Sequence, residues 1–145
     1  MFIQIRKAQA IDFPELAAVF LEVRRQVFTW KDINSFREED FYEQTSGELI
    51  LLAEDDEQKI VGFISVWEPD RFIHHLYIKS GYQGRRIGKR LIDSLSVYIS
   101  FPYQLKCESK NDRALHFYAK NGWQEIGRGI NEGEEYVLLQ LKTGK

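Results

Sequence analysis

The 145-residue sequence predicts a single mixed α/β (α+β) domain over residues 1–145, with helices packed on one sheet. Two observations carry this expectation. Short apolar runs of period two are interspersed with stretches of helical period, in the order strand, two helices, three strands, helix, strand, helix, two strands. No repeat, low-complexity tract or Pro/Gly/Ser-rich linker divides the chain, and its length suffices to bury one core. A doubly wound nucleotide fold alternates strand and helix more strictly, so the order argues against it.

The first strand reads Phe2 to Lys7, where Ile3 and Ile5 alternate with Gln4 and Arg6. Asp12, with Glu15 three residues on and Pro14 in the first turn, predicts a capped helix start. Leu16, Ala17, Phe20, Val23 and Val27 continue it at helical period. A more charged helix follows over Ser35 to Gln44, anchored by Phe36, Phe41 and Tyr42. Strands at Glu48 to Glu54 and Ile60 to Trp67, joined by the polar turn 55–58, read as a hairpin. Phe72 to Lys79 is a further strand, and a glycine-bearing loop leads from it into a helix over Ile87 to Ser100. Leu91, Ile92, Leu95 and Tyr98 or Ile99 form its apolar face, and Pro102 ends it. A short strand at Tyr103 to Glu108 precedes a helix over Asp112 to Lys120, capped by Asn111 and stopped at Asn121-Gly122. Trp123 to Arg128 and Glu135 to Lys142 close the chain as a hairpin around Asn131-Glu132-Gly133.

A net charge of −2 argues against a nucleic-acid partner, which calls for a basic excess. No apolar run reaches the roughly 20 residues of a membrane span, and the N-terminus lacks a signal peptide's apolar stretch. The single cysteine, Cys107, excludes an internal disulfide, suits a cytoplasmic setting and reads as a buried strand residue.

The most informative segment is Tyr82 to Lys89. Gly84 and Gly88 allow close backbone approach, and the helix that follows offers unpaired N–H groups and a positive dipole end. Arg85, Arg86, Lys89 and Arg90 add positive charge there, so phosphate is the ligand this segment fits. It is no Walker A loop: Gln83 stands at the first glycine's position, and Arg90 at that of the magnesium-binding Ser/Thr. No G-x-G-x-x-G is present either.

The loop resembles the acyl-CoA signature Q/R-x-x-G-x-G/A of the GNAT superfamily of N-acetyltransferases. Gln83, Ile87 and Gly88 match, as does Gly84, while Arg86 stands where the first glycine usually lies. A helical Arg86 would leave the loop unstrained; a positive φ would cost on the order of 1 kcal/mol. The segment Asn111 to Trp123 also fills the family's late motif N-x-x-A-x-x-F/L-Y-x-x-x-G-F/W. The resemblance extends over nearly the whole chain. It implies a central, mostly antiparallel GNAT-like sheet and acetyl-CoA as cosubstrate, with no metal. The acceptor it implies is an amine of a small molecule or peptide. The alternative is a non-catalytic acyl-CoA sensor on the same fold.

By resemblance, Leu76, Tyr77 and Ile78 present backbone groups to the pantetheine arm, and N–H groups near Leu76 and Ile78 face the thioester oxygen. Gln83, Gly84, Arg85, Arg86, Ile87, Gly88 and Lys89 would hold the pyrophosphate. Asn111, Ala114, Tyr118 and Lys120 would line the other side, with the Tyr118 hydroxyl near the sulfur as proton donor or hydrogen-bond donor. Asn111, Ala114, Leu115 and Tyr118 share one helix face on spacing alone. For the general base, the neutral imidazoles of His74 and His75 have a suitable pKa. Strand alternation puts them on opposite faces, and His75 falls where relatives often carry glutamate. A water relay to Glu54 or Glu68 is the alternative. Trp30, Phe36, Phe41 and Tyr42, with Asp32, Glu38, Glu39, Asp40 and Glu43, read either as an aromatic, acidic rim for a cationic amine or as a solvated acidic helix face. A monomer or a homodimer is expected, the latter through edge strands of the late hairpin.

Overall fold

A computed structural model describes residues 2–143. In chain order the main elements are β1 (Gln4–Lys7), α1 (Phe13–Val27), α2 (Glu39–Gln44), β2 (Leu49–Glu54), β3 (Ile60–Trp67), β4 (Phe72–Ile78), α3 (Ile87–Ser94), β5 (Tyr103–Glu108), α4 (Asp112–Lys120), β6 (Gln124–Asn131) and β7 (Glu134–Leu141). The strands form one sheet in the order β1-β2-β3-β4-β5-β7-β6. Every neighbouring pair is antiparallel except β4 and β5. The expected mixed, mostly antiparallel sheet with flanking helices is therefore what forms.

Helices cover both faces, which is why β2 is buried along its whole length and apolar from Leu49 to Ala53. Leu49, Leu51 and Ala53 point to one side, where Leu91, Ile92 and Leu95 from α3 and the turn after it meet Ile64 and Tyr103. Ile50 and Leu52 point to the other, beneath Leu16, Phe20 and Val23 of α1. Alternation along one strand thus feeds two cores.

Local departures from the sequence reading have identifiable causes. Asp12 does not cap α1 with its side chain; its carboxylate takes Arg6 Nη1 and Nη2 at 2.9 Å and the Gln9 N–H at 2.8 Å. Glu15, its expected capping partner, instead accepts the Ile60 N–H. The second helix shrinks to Glu39–Gln44, because Asp32 closes a separate 3₁₀ turn at Ile33–Ser35 and Phe36 is extended. The third helix tightens after Ser94 into the 3₁₀ turn Leu95–Val97. There Ser94 and Ser96 hydroxyls donate to the carbonyls of Arg90 and Asp93, a competition that weakens continued α geometry. The late hairpin turns at Glu132-Gly133, both at positive φ as a two-residue loop requires. Only β6 of that hairpin lies at a sheet edge; β7 is interior, paired with β5 as well.

One topological feature sets up the site. The parallel pairing of β4 with β5 extends only over Phe72↔Gln104 and Ile73↔Leu105. Beyond it, Leu76, Tyr77 and Ile78 stay paired to β3, and Cys107 and Glu108 to β7. The sheet opens as a wedge with its vertex at His74.

Candidate active site

The β4 wall of the wedge ends at the loop singled out by sequence. Gln83 is half-buried, and its amide Nε2 lies 3.5 Å from the Ile78 carbonyl. Tyr82 donates weakly to Asp55 in the β2–β3 turn, at 3.4 Å. Gly84 takes φ of +81°, and Arg86, at the N-cap of α3, takes φ of +62°. Of the two backbone states open to Arg86, the left-handed one is adopted. Ile87 is buried. At Gly88 a Cβ would come within 3.2 Å of Phe117 on α4, so the absence of a side chain lets the two helices close up. The Arg85 guanidinium lies 5.8 Å from the Tyr82 ring centroid. Lys89 pairs with Asp93 at 2.8 Å and, with Lys120, lines a cleft of about 230 Å³ between α3 and α4.

The opposite wall comes from α4 and β5. Asn111 Oδ1 accepts the Ala114 N–H at 3.2 Å, which starts α4 as expected. One turn on, Tyr118 is buried against Trp123 and Phe117, with ring centroids 5.5 and 5.3 Å away. Burial, then the nearness of Cys107 and Tyr77, pushes its hydroxyl pKa well above the ordinary phenol value. Tyr118 therefore stays protonated at neutral pH. Cys107 is buried too, and desolvation pushes its thiol up to about 12, which keeps it in the weakly nucleophilic protonated form at neutral pH.

On the α1 side, Arg24 Nε donates to the Tyr77 hydroxyl at 3.1 Å. Trp30 Nε1 and Lys31 Nζ reach Glu108 at the end of β5, at 2.9 and 3.0 Å. The aromatic, acidic rim does not assemble as one surface. Phe41 and Phe36 are buried, while Asp32 and Asp40 accept backbone N–H groups of Asn34 and Arg37 in local turns. Glu54 is tied to Arg6 at 3.1 Å, two strands from β4.

The two histidines depart from simple alternation. Ser65 pairs with His75 and Val66 with Ile73, so His74 is an extra residue in a β-bulge. Ile73 and Leu76, three residues apart, consequently join the same core, and the two imidazoles lie 6.2 Å apart. His75 is buried beside Phe20 and Phe63. Its Nδ1 meets the Ser65 hydroxyl at 2.8 Å and its Nε2 the Gln44 Oε1 at 3.1 Å. Desolvation, with the charge of Arg24 behind it, pulls its pKa down to about 3. The His74 side chain is 41% exposed, and its Nδ1 contacts the carboxylate of Glu48.

The loop, the wedge and the first turns of α4 lie within residues 46–125, which match the family model described as an acetyltransferase (GNAT) domain. The chain belongs to this family of acyltransferases. No curated protein matches the sequence. Solved structures share the GNAT fold at low identity. The PaiA N-acetyltransferase of Thermoplasma acidophilum, in complex with coenzyme A, is 21% identical with a TM-score of 0.81, over 99% of this chain and 100% of that one. A GCN5-related N-acetyltransferase of Rhodopseudomonas palustris is 24% identical with a TM-score of 0.78, over 99% of each chain. YncA of Salmonella typhimurium, with its cofactor acetyl-CoA, is 15% identical with a TM-score of 0.72, over 98% and 94%.

Against the usual GNAT signature, Arg86 is the departure with a measurable cost. Arg86→Gly relieves the left-handed strain and is expected to raise stability by up to about 1 kcal/mol. Thermal melting reads this as a rise of roughly 2–4 °C; a lower midpoint would mean that the side chain's contacts outweigh the strain. Sequence reasoning missed Glu48, Arg24 and Glu108. All three stand in expected elements, Arg24 within the first helix and Glu48 and Glu108 at the ends of strands, but nothing in the local pattern marks their partners.

Proposed function

We propose that this GNAT acyltransferase moves an acetyl group from acetyl-CoA to a primary amine of a small molecule or peptide, by direct attack in a ternary complex. The observation that carries the reading is the wedge itself. It offers a β4 edge at Leu76 to Ile78 that is paired to β3 but has no register partner on the β5 side, a glycine-bearing helix start at one end and a buried, protonated tyrosine on the facing wall.

Each part meets a physical demand of the reaction. Backbone N–H groups of the α3 start, with Arg85, Arg86 and Lys89, suit the pyrophosphate. Lys120, across the cleft from Lys89, suits a further phosphate. An extended pantetheine arm pairs with Leu76 to Ile78 as an added strand. Four steps along the strand, from Ile78 back to His74, span roughly 13 Å. That length carries the thioester from the loop to the vertex. Acetyl-CoA supplies an activated acyl carbon, and the amine nitrogen bonds to it as the carbon–sulfur bond breaks. The Tyr118 hydroxyl faces the developing thiolate as a hydrogen-bond donor, and β4 N–H groups serve the carbonyl oxygen.

His75 suits a positioning role, holding α2 to the sheet through Gln44 and Ser65, because a base with so low a pKa takes a proton poorly. His74, exposed at the vertex, suits the base.

Calorimetric titration with acetyl-CoA, followed by thiol release over a panel of polyamines, amino acids, aminoglycosides and peptides, tests the proposal. Binding with turnover of at least one amine is the expected result. Absence of binding at millimolar acetyl-CoA overturns it, and tight binding without thiol release across the panel would make the chain a sensor. Arg86→Gly, which removes one positive charge, is expected to weaken binding several-fold.

A further inference from the structure

The bulge at His74 places its imidazole on a carboxylate that has no other obvious purpose. Glu48 precedes β2, and its side chain is only 2% exposed. One oxygen, Oε2, contacts His74 Nδ1; the other, Oε1, is buried without a hydrogen-bond partner among the described residues. Trp67 closes over the same corner, near enough to Gly47 that a Cβ there would lie 3.5 Å from its ring. Burying a carboxylate with half its acceptor capacity unused costs stability, and a single exposed histidine is a poor structural repayment. Such an arrangement makes sense where the carboxylate sets the state of the imidazole.

From these contacts we infer that Glu48 is a positioning residue for His74, and that the two form a carboxylate–imidazole dyad serving as the general base. The inference rests on the acetyl-transfer reading above. An ionised carboxylate only accepts, so the proton of neutral His74 stays on Nδ1 and the Nε2 lone pair is free. His74 is the first β4 residue past the pairing with β5, where the proposed reading puts the thioester. An ammonium acceptor gives its first proton to solvent and attacks as the neutral amine. As the nitrogen–carbon bond forms and the carbon–sulfur bond breaks, His74 Nε2 takes the second proton and the departing thiolate takes one from solvent or through Tyr118. The reaction balances as ammonium plus thioester giving amide, thiol and one released proton. The imidazolium formed in the step sits against Glu48, which stabilises it. Charged or titratable groups near this corner include, among the described residues, His75 on the same strand, held neutral, and Lys106 of β5, whose Nζ lies over Phe72, the ring next to His74.

Glu48→Gln, His74→Gln and the double variant, assayed by CoA-thiol release with the best amine of the panel, test the dyad. Glu48→Gln is expected to lower kcat by about ten- to a hundredfold with KM within about twofold. The double variant should be no slower than His74→Gln alone, because two members of one unit are not additive. Nitrogen-15 NMR of the imidazole should show the Nδ1-protonated tautomer in the unmodified protein and its loss in Glu48→Gln. Unchanged kcat in Glu48→Gln, or losses that multiply in the double variant, overturns the dyad while leaving acetyl transfer intact. An unmodified protein that releases no thiol with any amine overturns the transfer reading and the dyad together. Should Glu48→Gln fail to fold, His74→Gln, at an exposed position, carries the test: kcat within twofold of the unmodified protein overturns the proposal.

Discussion

Tyr118→Phe is expected to lower kcat about a hundredfold while leaving acetyl-CoA affinity and thermal stability nearly unchanged. The substitution removes one oxygen from a buried ring whose packing partners, Phe117 and Trp123, contact its carbons. The folded state thus loses little, because no hydrogen bond from that hydroxyl to another described residue accompanies the packing. On the proposed reading, the transition state loses a donor to the developing thiolate, an interaction worth several kcal/mol in a preorganised site. A fall in kcat with an unaltered dissociation constant would identify an interaction made only as charge develops on sulfur. An unchanged kcat removes Tyr118 from the mechanism. The raised pKa of this hydroxyl adds a condition: the activity of the unmodified protein should show no alkaline decline from Tyr118 below about pH 10, since deprotonation is pushed higher by burial.

The second large effect concerns acid stability. His75 titrates at about 3 in the folded chain and near 6.5 when unfolded. Between those values the unfolded chain binds a proton that the folded chain does not, so unfolding becomes easier as pH falls. The contribution is complete above pH 6.5 and lost progressively toward pH 3. At about 1.4 kcal/mol per unit, a drop from pH 6.5 to 4.5 costs roughly 3 kcal/mol. Urea denaturation at pH 7 and pH 4.5, on the unmodified protein and on His75→Gln, isolates this term from the carboxylates, which both proteins share. The unmodified protein should lose roughly 3 kcal/mol more than the variant; equal losses would show that His75 is protonated without penalty in the fold.

Much of the architecture was legible because it depends on local chemistry. The cap at Asn111, the stop at Asn121-Gly122 and the turn at Glu132-Gly133 are fixed by neighbouring residues, and each appears where its residue types predict. The loop at Gln83 to Gly88 was legible for the same reason. What escaped were choices between partners distant in sequence. Asp12 looks like a cap until Arg6 is folded beside it, and Phe36 and Phe41 look like a rim until α1 covers them. The bulge at His74 is likewise invisible to a rule of alternation, since it exists only through the register of β4 against β3. Glu48 has no motif at all; it matters through its contact with a residue 26 positions away.

The two register pairs that join β4 to β5 make the sheet, mechanically, two panels on a short hinge. On the proposed reading, acetyl-CoA bound along β4 is mortar between them. A ligand at a hundred times its dissociation constant adds about 2.7 kcal/mol to the folded state. Here that energy falls on the seam, so hydrogen exchange should slow along Leu76 to Ile78 and across the facing α4 before it slows in the β1–β2 half. The protein's persistence against proteolysis then follows the supply of its acyl donor, and the enzyme lasts longest where it has something to transfer.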